Sequence, residues 1–120
     1  MNTFATRIRP AVNAELAAAR AADARGDAAT AFDHLERAHV LGQASTTEHV
    51  RVHALMLRWA LRHRRGREAA GQLLRIAGAA TKTALGLVPR GNTGGSNVPA
   101  WRPMRVPGDL QRQIDAAQQP

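Results

Sequence analysis

The chain has no cysteine, which removes disulfides, thiolate metal sites, iron–sulfur clusters and thiol catalysis from consideration. Aromatic residues make up 3% of its 120 residues and β-branched residues are also few. Strands are therefore poorly supplied, and the abundant alanine and arginine favour helix throughout. No stretch approaches the ~20 apolar residues of a membrane span, and Met1 to Pro10 holds no apolar run fit for a secretory signal. Those absences predict a cytoplasmic protein with no membrane partner. The glycine-rich segment Gly91-Asn92-Thr93-Gly94-Gly95 lacks the Lys-Ser/Thr ending of a phosphate-binding loop and does not stand between a strand and a helix, so it does not read as a nucleotide site.

Charge is present in quantity, at a net +8, but it is not arranged for nucleic acid. The arginines are spread along every predicted helix, mostly on solvent faces. The densest cluster, Arg62-His63-Arg64-Arg65-Gly66-Arg67, sits at a helix end, where basic side chains favour the helix dipole. No aromatic residue is interleaved and no nucleic-acid motif accompanies it, which predicts a solvated basic surface.

Caps and glycines divide the chain. Pro10 suits the first turn of a helix, and strong helix formers continue from it to Gly26. Asp27 is a good N-cap for a second helix, closed by Gly42 in the C′ position. Ser45, Thr46 or Thr47 caps a third, which runs to about Arg65 and stops at Gly66. A fourth extends from about Arg67 through Leu73, Leu74 and Ile76 to Gly86. Breaks this short make neighbouring helices antiparallel. The predicted fold class is all-α: four main helices in two antiparallel hairpins, as a bundle or in a TPR-like arrangement. One domain, 1–120, would comprise a helical core over 10–86, an ordered Gly/Pro-rich loop over 87–106 and a short helix over 107–117. The entries Gly26-Asp27-Ala28-Ala29 and Gly66-Arg67-Glu68-Ala69 give the hairpins a local resemblance to tetratricopeptide repeats, but the remaining consensus positions match poorly. Val98, Trp101 and Met104 are the apolar residues available to anchor the loop, with Trp101 the main candidate.

Four of the five histidines fall between His34 and His53. His49 and His53, four apart, share a helix face, and so do Glu36 and His39, three apart. At ~100° per residue, His49 and His53 lie near the middle of the apolar arc of the third helix, opposite Glu48, Arg51, Arg58, Arg62 and Arg65. His39 lies inside the apolar arc of the second helix, with Glu36 at its margin. Three imidazoles thus point into the predicted core, where each needs a polar partner. One metal ion would satisfy all three, through neutral imidazole nitrogen and a Glu oxygen. The predicted ligands are His39, His49, His53 and Glu36. His34, Glu15 and His63 are accessory at most: His34 points to the rim, Glu15 would reach in from the first helix, and His63 lies further along its own helix. With only one Glu-x-x-His unit, a single ion fits better than a di-iron pair.

The run Phe32-Asp33-His34-Leu35-Glu36-Arg37-Ala38-His39-Val40-Leu41-Gly42-Gln43, the pair His49 and His53, and the segment Gly91 to Gly95 together resemble a family of short bacterial proteins classed as a domain of unknown function. The resemblance covers about Glu15 to Leu110. It implies a gene setting beside heavy-metal resistance and efflux genes, and it carries no catalytic role.

These readings predict a non-enzymatic protein, accessory to metal homeostasis or resistance, that binds one divalent transition metal (Zn, Ni, Co, Cu or Fe) between the second and third helices. The alternative is a TPR-like adaptor for a peptide or protein partner, with structural histidines. Hydrolysis would also need a general base and a substrate pocket, and no motif places them.

Overall fold

A computed structural model describes residues 3–82, 89–99 and 101–119, residues 80–82 by their backbone. The order is α1 (Phe4–Ala24), α2 (Ala28–Gly42), α3 (Thr46–Arg62), α4 (Gly66–Lys82) and α5 (Gly108–Gln118). There is no strand among the described residues. The helices α1 and α2 form one hairpin and α3 and α4 a second, with α2 against α3 between them, while α5 returns to α1 and α2. The all-α, two-hairpin fold class is therefore found.

The first helix starts earlier than its proline implies. Thr3 caps α1 by accepting from Thr6 N at 3.3 Å, and Pro10 lies inside the helix. Proline removes a helical donor and crowds the preceding turn. Here the helix continues because Ile8 is fully buried and Phe4 packs on the core. Ile8, Val12, Leu16 and Ala19 recur at helical spacing along the buried side of α1. They meet Leu35 and Ala38 of α2, Val52 and Met56 of α3, and Leu110 and Ala117 of α5.

The hairpin turns share one device. After α1, Gly26 at φ +78° lets Asp27 N reach back to Ala22 O at 2.9 Å, the six-to-one bond of a Schellman ending. After α3, Arg65 N reaches Ala60 O at 2.7 Å in the same way. The left-handed residue there is Arg64 at φ 55°, so Gly66 does not terminate α3; it opens α4. Between α2 and α3 the turn is short. Ser45 caps α3 by accepting from Glu48 N at 3.4 Å. Gly42 is the last residue of α2, and a Cβ there would lie 2.9 Å from Glu48 Cβ. Its smallness lets Glu48 pass, where the sequence placed a left-handed cap.

Glu48 itself departs from the helical-phase expectation. It is fully buried, because Arg9 of α1 (Nε to Oε1, 2.7 Å) and Arg51 (Nη1 to Oε2, 3.0 Å) enclose its carboxylate. The loop after α4 follows a polar logic as well. Trp101 does not anchor it: its side chain is 75% exposed. The segment is held by Gln43 Nε2 on Pro89 O (3.0 Å), Arg75 Nη2 on Val98 O (2.8 Å) and Ser96 N on the Glu68 carboxylate (3.0 and 3.2 Å). The predicted end of the fourth helix at Gly86 and the loop start at 87 lie outside the described residues.

Candidate metal centre

Helix phase delivers the three imidazoles. One turn of helix separates His49 from His53 on the buried face of α3, and His39 faces them from the last turn of α2. All three are buried, with 3%, 7% and 2% of their surface exposed for His39, His49 and His53. His39 Nε2 lies 3.0 Å from His49 Nε2 and 3.1 Å from His53 Nε2. One ring nitrogen from each, taken together, lies within 4.8 Å of the others.

The other ring nitrogens of His39 and His53 are oriented from outside. His39 Nδ1 is 2.6 Å from the Asn92 carbonyl oxygen. A carbonyl can only accept, so the proton sits on Nδ1 and Nε2 presents a lone pair. His53 Nδ1 is 2.5 Å from Gln72 Oε1. The Gln72 amide nitrogen donates to Glu68 Oε2 at 2.7 Å and Gly94 O at 2.9 Å, which fixes its oxygen toward His53. That ring also carries its proton on Nδ1. Hydrogen-bonding the outer N–H to a carbonyl or amide in this way is how ligating histidines are held in the correct tautomer.

The loop closes the third side. The Asn92 side chain accepts from Gly94 N (2.9 Å) and donates to Pro99 O (2.9 Å) and Arg102 O (2.7 Å). Its backbone carbonyl is thereby placed on His39. Gly94 at φ +84° lies against the ring, where a Cβ would fall 2.5 Å from His39 Cδ2. Only glycine combines that conformation with that approach.

Burial sets the protonation state. Desolvation, followed by His53 and His49, pushes His39 well below the usual histidine value. Desolvation and then His53 lower His49 to about 4. His53 also falls to about 4, through desolvation, partly offset by the hydrogen bond it donates to Gln72 Oε1. Neutral imidazole, the ligating form, is therefore favoured at neutral pH. An open cavity of about 600 Å³ adjoins the cluster, with Arg75, Leu74, Val98 and Trp101 in its wall.

The remaining predicted residues go elsewhere. Glu36 is not in the converging set; it is half-buried, and burial, then Asp33, raises its pKa. Glu15 turns to His34 Nδ1 (2.7 Å) and Arg37 Nε (2.9 Å), which occupies both accessory candidates away from the centre. His63 bonds Asp23 Oδ1 at 2.8 Å and packs on Trp59. Sequence reasoning missed Glu68, Gln72 and Arg75 entirely. A buried amide one turn beyond a glutamate was the available signal for Gln72.

Residues 6–114 match the model of a family described as a protein of unknown function (DUF3703), and the chain belongs to that family. No curated protein and no solved structure matches it.

Proposed function

We propose that this DUF3703 protein binds one divalent transition metal ion through Nε2 of His39, His49 and His53, as a metal-handling protein and not an enzyme. The observation that carries the reading is the 3.1 Å contact between Nε2 of His39 and Nε2 of His53. Both rings donate their Nδ1–H to an outside acceptor, so two Nε2 lone pairs face each other in a buried site. A cation between them would satisfy both lone pairs, and burial disfavours a proton in that role. For the two pairs that include His39, nitrogens 3.0 and 3.1 Å apart, each ~2.0–2.1 Å from one ion, subtend about 90–100° at it. That angle suits several of the candidates Zn, Ni, Co, Cu and Fe, all of which accept imidazole.

Support for binding without catalysis comes from the surrounding groups. Amides, backbone carbonyls and a guanidinium face the centre, and the Glu68 carboxylate is occupied by Gln72 and Ser96. None is poised to take a proton from bound water. The wider role, accessory to metal homeostasis or resistance, is supported by the gene setting that the family resemblance implies.

The test is equilibrium dialysis of untagged protein against zinc, nickel, cobalt and copper, with bound ion measured by elemental analysis. One ion per chain is expected. His49→Ala and His53→Ala should each lower affinity by about a hundredfold or more, whereas His34→Ala and His63→Ala should change it little. Equal binding by wild type and the His49/His53 double variant would sink the metal reading and leave the adaptor in its place.

A further inference from the structure

The imidazole cluster shares its cavity with Arg75, a cation that makes no contact ion pair among the described residues. Arg75 donates from Nη2 to Val98 O at 2.8 Å, but its Nε is buried without a hydrogen-bond partner among the described residues. No carboxylate lies in salt-bridge range of it there; the ion pairs found join other residues. Glu68, the acid that acts on it electrostatically, is engaged by Gln72 and Ser96.

Neutral imidazoles add no negative charge to the site. With a divalent ion bound as proposed above, the ion and the guanidinium would together outweigh the single negative charge of Glu68, which acts on both Arg75 and His53. An uncompensated charge in a partly desolvated site is strongly unfavourable, and an anionic ligand relieves both at once. Guanidinium favours carboxylate, whose paired oxygens match its forked N–H groups.

The rest of the cavity wall has a different chemistry. Leu74 is 79% exposed and Trp101 75% exposed, and both border the opening together with Val98 and Pro99. Large apolar side chains beside a charged interior describe a site for a molecule with an anionic head and an apolar body. The volume of about 600 Å³ lies within the usual ~300–1,000 Å³ of small-molecule sites.

We infer that the cavity takes an organic carboxylate, its head shared between the histidine-bound ion and Arg75 and its apolar body against Leu74, Val98 and Trp101. This inference rests on the metal reading, and the experiment separates the two. Cobalt(II)-loaded protein is titrated with acetate and with benzoate while its visible d–d absorption is followed.

Both anions should produce a saturable spectral change, with benzoate half-saturating at a concentration about tenfold lower. Arg75→Gln should raise both midpoints about tenfold or more, and Arg75→Lys should recover part of the loss. Trp101→Ala should narrow the gap between the two anions. Cobalt bound to Arg75→Gln reports that the imidazole centre is intact in that variant. If cobalt binds and neither anion moves the spectrum, or if Arg75→Gln responds like wild type, the inference falls and the metal reading stands. Benzoate without advantage over acetate overturns the organic carboxylate. If wild type binds no cobalt, the metal reading falls and takes this inference with it.

Discussion

At the scale of single residues, the centre depends on which nitrogen of each ring holds the proton, and that is decided by atoms outside the rings. Asn92 and Gln72 supply acceptors for His39 and His53. The histidines themselves were legible in the sequence because a 3.6-residue period puts His49 and His53 on one face. Their acceptors were not, since Gln72 comes from α4 and the Asn92 carbonyl from a loop whose path no periodicity describes. Glu36 shows the converse: its spacing from His39 was read correctly, but spacing on a helix fixes an angle and not a reach. Glu48 was misplaced because angular position cannot see Arg9 arriving from α1.

The depressed histidines give stability a defined pH dependence. Folded His49 and His53 titrate near 4, against about 6.5 in an unfolded chain. Below 6.5 the unfolded state binds protons that the folded state refuses, so stability rises with pH across that window. It is complete above about pH 6.5 and is lost as pH falls toward 4. For the metal-free protein we expect the free energy of unfolding in urea to drop by on the order of a few kcal/mol between pH 7 and pH 4.5. A flat profile over that range would mean that the imidazoles are not buried as neutral bases.

At the scale of elements, the helices were legible because their caps are written locally. Asp27 accepts from Thr30 N at 3.1 Å and Ser45 caps α3, both as the sequence indicates. Errors arose where tertiary contact overrode a local signal: Pro10 within α1, and Arg64 doing at the α3–α4 turn what Gly26 does at the first. A non-glycine residue in the left-handed region is strained by about 1 kcal/mol. Arg64→Gly should therefore raise the stability of the protein by about 0.5–1 kcal/mol, measured by urea denaturation. A loss of stability would show that the Arg64 side chain has a role that its φ conceals.

The loop is the element least legible in the sequence. Composition points to an apolar pin at Trp101, but the segment is fastened by polar bonds with Gln43, Glu68 and Arg75 and by its own Asn92. Gly94 is the point at which it touches the centre. In Gly94→Ala the new methyl would collide with the His39 ring and the backbone would be strained. We expect a loss of about 1–3 kcal/mol in stability. Zinc affinity, read by competition with a chromophoric chelator, should fall together with it. Unchanged values for both would mean that the loop does not close on His39.

At the scale of the whole molecule, the proposed ion would act as a joint. The hairpins already meet through Val52 and Met56 in the shared core, the Phe32–Trp59 ring contact at 4.5 Å and Trp59 Nε1 donating to Ala28 O at 3.0 Å. The Trp59 contacts lie toward one end of the α2–α3 interface. The histidines lie at the other, where α2 turns into α3 and the loop returns from α4. An ion held there would link both hairpins and the loop at one point, and the unfolded chain would have no comparable site. At a free ion concentration a hundredfold above the dissociation constant, binding should stabilise the native state by about 2.7 kcal/mol. For a chain of this length that corresponds to a rise in Tm of roughly 10 °C. Calorimetry of the protein with and without zinc, and again after a chelator, should show this rise and its reversal. The His49/His53 double variant should show neither. A rise that survives in that variant would place the ion elsewhere, and no rise in wild type with ion demonstrably bound would mean that the unfolded chain holds the ion as well as the native one does.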